Sequence, residues 1–213
     1  EEQLELHARN LANRHSLITR EPSEQLLKRL AENESILLEV HSNLTEVVKQ
    51  NARITPAAEW LLDNFYLIEE QIYTAKKHLP KGYSRGLPQL AKGVSAGLPR
   101  VYDIAVEIIS HSDGHVNLRS LVNFISSYQE VNFLNLGELW AVPIMLRLAL
   151  LENLRRLSLQ ISIDLANKTL ATRWADELIQ VAEKDPKNLV LVIADMARSN
   201  PPMVSSFVAE LTR

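Results

Sequence analysis

The chain has 213 residues, 46% of them hydrophobic and 23% charged, a formal charge of -3 and no cysteine. That length buries a sizeable core without disulfides, so neither a staple nor a metal is required for folding. The missing thiols exclude disulfides, thiolate metal sites and cysteine nucleophiles, and the near-neutral balance gives no global reason to expect a nucleic-acid binder.

The chain does not open on Met, and residues 1–20 lack the apolar stretch of a signal peptide, so it is expected to be a piece of something longer. Helical periodicity dominates and predicts an all-α fold: a multi-helix bundle of about seven to eight helices with one Gly/Pro-rich basic connector. Strand-like character is confined to the short run Leu189 to Ile193, which sits in a helix-compatible context.

A first helix is predicted over 2–18. A second, after Pro22 and Ser23, runs to about Gln50, with Leu30, Leu37, Val40, Leu44 and Val47 spaced as a packed stripe. Thr55-Pro56, Asp185-Pro186 and Asn200-Pro201 each join a capping residue to Pro at the first helical position. They predict helices over 56–78, 186–198 and 201–212, the last two sharing a faintly repetitive opening. On the first of these, Trp60, Leu61, Phe65, Ile68 and Ile72 should face inward. Asn117 is placed to cap a further helix. A long helix is predicted from about Leu136 to Ala182, bent near its start by Pro143, which lacks a backbone donor. The whole reads as a single helical domain, 1–213, comprising an amino-terminal helical pair (1–53), a central part (54–157) and carboxy-terminal helices (158–213).

The stretch GELWAVPIMLRLALLENLRRL (137–157) is the most apolar. Its uninterrupted pieces, Leu139 to Met145 and Leu148 to Leu151, fall well short of the roughly 20 residues a bilayer core demands. A buried helix of a water-soluble bundle is therefore expected, and a charge inside such a helix needs a partner. Arg147 is the conspicuous case, with Glu59, Asp63 or Glu107 as candidate partners. Glu138, Glu152, Arg155 and Arg156 complete the expected structural ion-pair network.

Between Glu70 and Asp103 no acidic residue occurs, while Lys76, Lys77, Lys81, Arg85, Lys92 and Arg100 are basic and four of the six glycines fall here. The phrases RGLPQL and AGLPRV lie eleven residues apart, which predicts two turns, each with Pro leading into a short helix. An exposed connector accounts for this composition. Glycines that admit a close ligand, beside cations that hold phosphate, are the functional alternative, with Lys81, Tyr83, Arg85, Lys92, Arg100 and Tyr102 as candidate anion, sugar-nucleotide or interface contacts. Tyr83 and Tyr102 are the only aromatics among the cations, too few for a nucleic-acid surface. The chain has no Walker loop and no E-x-x-H pair. His111 and His115 flank Asp113-Gly114, which interrupts a helix that would aim both at one metal, so no metal site is expected.

Four longer phrases, ITPAAEWLLDNFYLIEEQI (54–72), LPKGYSRGLPQLAKG (79–93), GLPRVYDIAVEIISHSD (97–113) and the 137–157 stretch, resemble in order and spacing the amino-terminal region of bacterial cyclic β-1,2-glucan synthases. The resemblance covers 54–157. It implies a very large inner-membrane parent that uses UDP-glucose and a divalent metal to build a protein-attached glucan and release it as a ring. This region would precede the first membrane span, face the cytoplasm and contact other modules of the same polypeptide and the inner-membrane surface, but no nucleic acid.

The motifs of a processive transferase are not in this region. The chain has no D-x-D, and Leu170 to Trp174 reads L-A-T-R-W, with Leu where Q-x-x-R-W has Gln. The family's YYRELPKL is here YSRGLPQL, with Ser84 and Gly86 substituted. No catalytic residue carries over. The expected role is accessory and non-catalytic, packing against or regulating the transferase module, with no cofactor in this segment. The alternatives are a free-standing helical scaffold, or a domain that itself binds UDP-glucose or nascent glucan through Trp60, Tyr83, Arg85, Arg100 and Tyr102.

Overall fold

The computed structural model describes residues 2–18, 25–50, 53–112 and 114–213, and the predicted start after Pro22 and Ser23 lies outside them. The fold is all-α. Among the described residues there are nine α-helices: α1 (Glu2–Arg14), α2 (Gln25–Lys49), α3 (Pro56–Asp63), α4 (Phe65–His78), α5 (Arg100–His111), α6 (Leu118–Gln129), α7 (Leu136–Lys184), α8 (Leu189–Ser199) and α9 (Ser205–Leu211). Two 3-10 turns, Tyr83–Gly86 and Pro186–Asn188, complete the set.

The helices fall into two compact units. One comprises Glu1–Glu39 and Asp63–Leu157, the other Val40–Leu62 and Ser158–Arg213, so α2 and α7 each contribute to both. In the first unit, α1 packs on α6 through the small residues Ala8 and Ala12, which let the backbones approach. Phe124 and Tyr128 from α6 and Ile104 and Ile108 from α5 close the same core. In the second unit, Ala171 and Trp174 of α7 pack with Phe207 of α9 and Met196 of α8.

Several helix ends differ from the sequence reading. The first helix stops at Arg14, because residues 16–18 are drawn into backbone pairing with the connector: Ile18 N donates to Gln89 O at 2.8 Å and Ala91 N to Ser16 O at 2.8 Å. The predicted 56–78 helix is two, broken at Asn64, and Trp60 is 55% exposed rather than inward-facing. Thr55 does cap, its hydroxyl accepting from Ala58 N at 3.2 Å. Asp185 instead binds the Asn188 side chain, and only a 3-10 turn follows Pro186. Asn200 adopts the left-handed conformation (φ 47°) that terminates α8, and α9 begins at Ser205. Asn117 caps α6 as its position suggests, accepting from Ser120 N at 2.8 Å. The long α7 is continuous through Pro143.

The connector is built rather than loose. Leu87, Leu90 and Leu98 are buried, Gly97 N donates to Leu90 O at 2.8 Å, and isolated bridges join Leu17 to Leu90 and Gln89 to Pro99. Pro99 leads into α5, whereas Pro88 leads into the bridged pair Gln89 and Leu90. At φ 79° Gly97 occupies a region that disfavours any Cβ, and a Cβ there would lie 2.7 Å from Gln25 Nε2. No helix among the described residues is long and apolar enough to cross a membrane.

Candidate functional site

The first unit holds a cleft of about 610 Å³ beside the connector. Three helices line it, each through one face: Gln25, Lys28, Arg29 and Glu32 of α2, Tyr102 and Val106 of α5, and Glu152, Arg155 and Arg156 of α7. Those spacings of three and four are what set neighbouring side chains on one side of a helix. Connector residues Val94 to Ala96 and Leu98 form the remaining wall. Four cations thus face two carboxylates.

Glu152 is the hub of that wall. Arg29 grips it with two hydrogen bonds, Nε to Oε2 at 3.0 Å and Nη2 to Oε1 at 2.7 Å, and Arg155 Nη2 donates to Oε1 at 2.6 Å. Burial works to raise the Glu152 pKa, but hydrogen bonds from Arg155, Asn33 and Arg29 outweigh it and hold the carboxyl below its usual range. Tyr102 is pushed up to about 12, chiefly by burial and then by the Glu152 charge. Toward solvent, Lys28 and Arg156 are exposed, and Glu32 lies 3.9 Å from both Lys28 and Arg29.

A second polar chain runs behind the connector. Ser95 Oγ donates to Asp103, whose other oxygen lies 3.0 Å from His15 Nε2, while His15 Nδ1 lies 2.8 Å from the buried Tyr128 hydroxyl. An ionised carboxylate only accepts, so the Asp103 contact places a proton on His15 Nε2. Burial would raise the Asp103 pKa, yet the His15 and Ser95 hydrogen bonds lower it on balance.

Arg100 opens α5 but points inward, with its side chain 3% exposed. Its Nε and Nη2 donate to Glu138 at 2.8 and 2.7 Å, Nη1 to Asn132 Oδ1 at 2.8 Å, and Nη2 to Phe133 O at 2.8 Å. Glu138 also closes a capping box on α7: Asn135 N donates to its carboxylate and its own N donates to Asn135 Oδ1, both at 2.9 Å.

The sequence candidates are therefore dispersed. Arg100 is a buried structural cation with its donors occupied, not a contact open to an incoming anion. Tyr102 lines the cleft. Lys81, Arg85 and Lys92 are exposed on the connector and Tyr83 is half-buried, and none of the four lines the cleft. Glu138, Glu152 and Arg155 form buried or half-buried pairs, and Arg156 stands exposed at the cleft. Arg147 is half-buried and makes no ion pair with another described residue, Glu59, Asp63 and Glu107 included. Glu59 and Asp63 are exposed on α3, and Glu107 sits between His7 and His111. Sequence reading missed Lys28, Arg29 and Glu32, which lie more than a hundred residues from their α7 neighbours, and it missed His7, His15 and Asp103. The N-x-x-E spacing of Asn135 and Glu138 was the one local signal available.

No protein-family model matches the chain. The cyclic β-(1,2)-glucan synthase NdvB of Rhizobium meliloti (strain 1021) is 33% identical to it over 180 residues. The chain is homologous to a segment of that synthase. The alignment takes in 84% of this chain and 6% of the synthase's length. It is longer than residues 54–157 alone, so the relationship to the cyclic β-1,2-glucan synthase reaches into the flanking parts whose sequence is less distinctive.

Proposed function

We propose that the chain is an accessory, non-catalytic helical segment of a membrane-bound cyclic β-1,2-glucan synthase that makes glucan from UDP-glucose. It lies on the cytoplasmic face of the inner membrane and packs against the glycosyltransferase module, which it positions or regulates. The observation that carries this reading is the alignment: 84% of the chain corresponds to 6% of one synthase polypeptide.

The site chemistry supports the same view. A general acid working near neutrality needs its pKa raised, whereas the arginines around Glu152 lower it. The carboxylates are also a poor donor set for a hard divalent ion. Glu152 is gripped by Arg29 and Arg155, and Glu32 stands beside Arg29 and Lys28. The outward cations Lys28 and Arg156 suit an acidic face or a phosphate-bearing neighbour.

The test is a pair of assays with labelled UDP-glucose. The purified chain alone should release no UDP, and membranes carrying a synthase that lacks this segment should make at least tenfold less glucan than membranes with the intact protein. UDP release by the chain alone overturns the reading.

A second reading rests on the cleft itself. Its volume falls within the roughly 300 to 1,000 Å³ of small-molecule sites, and Tyr102 with four cations could hold UDP-glucose or a glucan end. Calorimetric titration of the purified chain with each ligand decides it: a saturable heat lost in Arg156→Glu supports this reading, and no heat removes it.

A further inference from the structure

Outside the cleft, α1 and α5 bring together three side chains that metal ions favour. Glu107 and His111 are four apart on α5, hence on one face, and His7 reaches them from α1. One ligand atom from each of His7, Glu107 and His111 lies within 4.8 Å of the other two. His7 Nε2 is 2.9 Å from Glu107 Oε2, and His111 Nδ1 is 3.5 Å from the same oxygen.

The geometry points to a binding site for a single zinc-like divalent transition ion, held by His7, Glu107 and His111 with water in the fourth position. Two imidazoles and one carboxylate are a borderline donor set, which suits zinc and disfavours calcium or magnesium. Bonds of about 2.0 to 2.2 Å set tetrahedral ligand atoms roughly 3.4 Å apart, so on binding the three ligand atoms draw together and the two stacked rings turn their nitrogens toward one point.

The imidazoles stack at 3.9 Å between centroids. The contact between His7 Nε2 and Glu107 is held by one proton, and the ion takes that proton's place. Behind the site the wall is firm: His7 lies 6.1 Å from Phe124, which is wholly buried. In front, His111 is 45% exposed, leaving a path for the ion and for its water. His111 Nδ1 also lies 3.0 Å from the Glu107 carbonyl, so in the metal-free chain it donates a proton there, and on binding the ring carries that proton on Nε2 instead. The bound ion would tie α1 to α5.

The experiment is titration of the chelator-stripped 213-residue chain with Zn²⁺ alone, followed by calorimetry and by thermal melting. One ion should bind per chain. At a hundredfold excess over the dissociation constant, Tm should rise by about 5 to 10 °C. His7→Ala and His111→Ala should each weaken binding at least tenfold, and Glu107→Gln likewise, while His78→Ala, at an exposed position ending α4, should leave it unchanged. Circular dichroism checks that each variant is folded, and the exposure of His111 makes its variant the safest. Co²⁺ should give the visible absorption of a four-coordinate ion. Zn²⁺ binding that survives both His7→Ala and His111→Ala, or no saturable binding, overturns the proposal. Neither outcome bears on the accessory role, which is read from UDP release and glucan synthesis.

Discussion

Arg100 and Glu138 close on each other through two hydrogen bonds of 2.8 and 2.7 Å, with 3% and 0% of their side chains exposed. The pair joins the first turn of α5 to the first turn of α7, and Glu138 caps α7 at the same time. Removing one partner strands a buried charge. Glu138→Ala should therefore lower unfolding stability by about 3 to 5 kcal/mol, measured by urea denaturation. The double variant Arg100→Met with Glu138→Leu should recover part of that loss, because no uncompensated charge remains. A Glu138→Ala loss below about 1 kcal/mol would mean that the pair is not desolvated.

Acid should unfold the first unit through Asp103 and Glu152. Both carboxyls are held below their ordinary values in the folded chain. A depressed folded pKa gives stability that is fully present above the unfolded pKa and is lost as pH falls through the folded one. Melting temperature should thus hold from neutrality down to about pH 4.5 and drop increasingly below pH 3.8, the ordinary values of the two groups. Asp103→Asn should flatten the acid limb. An acid limb identical in Asp103→Asn and the parent would contradict the pairing with His15 and Ser95.

Alkali acts through the buried phenols. Tyr102 and Tyr128 are each raised to about 12, first by burial. A raised folded pKa contributes stability that is present below the unfolded value and lost as pH climbs through the folded one. Ultraviolet titration should show two tyrosines ionising only near pH 12, together with loss of near-ultraviolet circular dichroism. Tyr102→Phe should remove one of the two late steps.

The all-α class was legible because a helix writes its 3.6-residue period locally, and caps such as Thr55 and Asn117 lie within three residues of the groups they bind. Asn200 misleads for a physical reason: Asn tolerates the left-handed conformation, so it ends a helix as readily as it begins one. Residues 16–18 look helical, but partners on the connector some seventy residues away claim the Ser16 carbonyl and the Ile18 amide. The site was harder still. Arg147 draws attention by interrupting an apolar run, whereas the buried arginine is Arg100, whose partner lies 38 residues on. The hub at Glu152 depends on Arg29, 123 residues away, and no local pattern announces that pairing.

Gly97 supports the cleft wall from a left-handed position. Gly97→Ala should cost about 1 to 2 kcal/mol in backbone strain and should displace Gln25, whose amide nitrogen lies 2.7 Å from the new Cβ. Gly86, with nothing within 4 Å of its Cβ position, is the comparison. Chemical denaturation of the two variants should separate them clearly. Equal losses would argue against the tight approach of Gly97 to α2.

The most direct measurement is glucan formation from labelled UDP-glucose in membranes carrying the full synthase with Lys28→Glu and Arg156→Glu together. Both side chains are exposed, so folding and membrane level should match the unaltered protein. If the cleft face docks on the transferase module, synthesis falls at least tenfold at equal protein. Undiminished synthesis would contradict that docking.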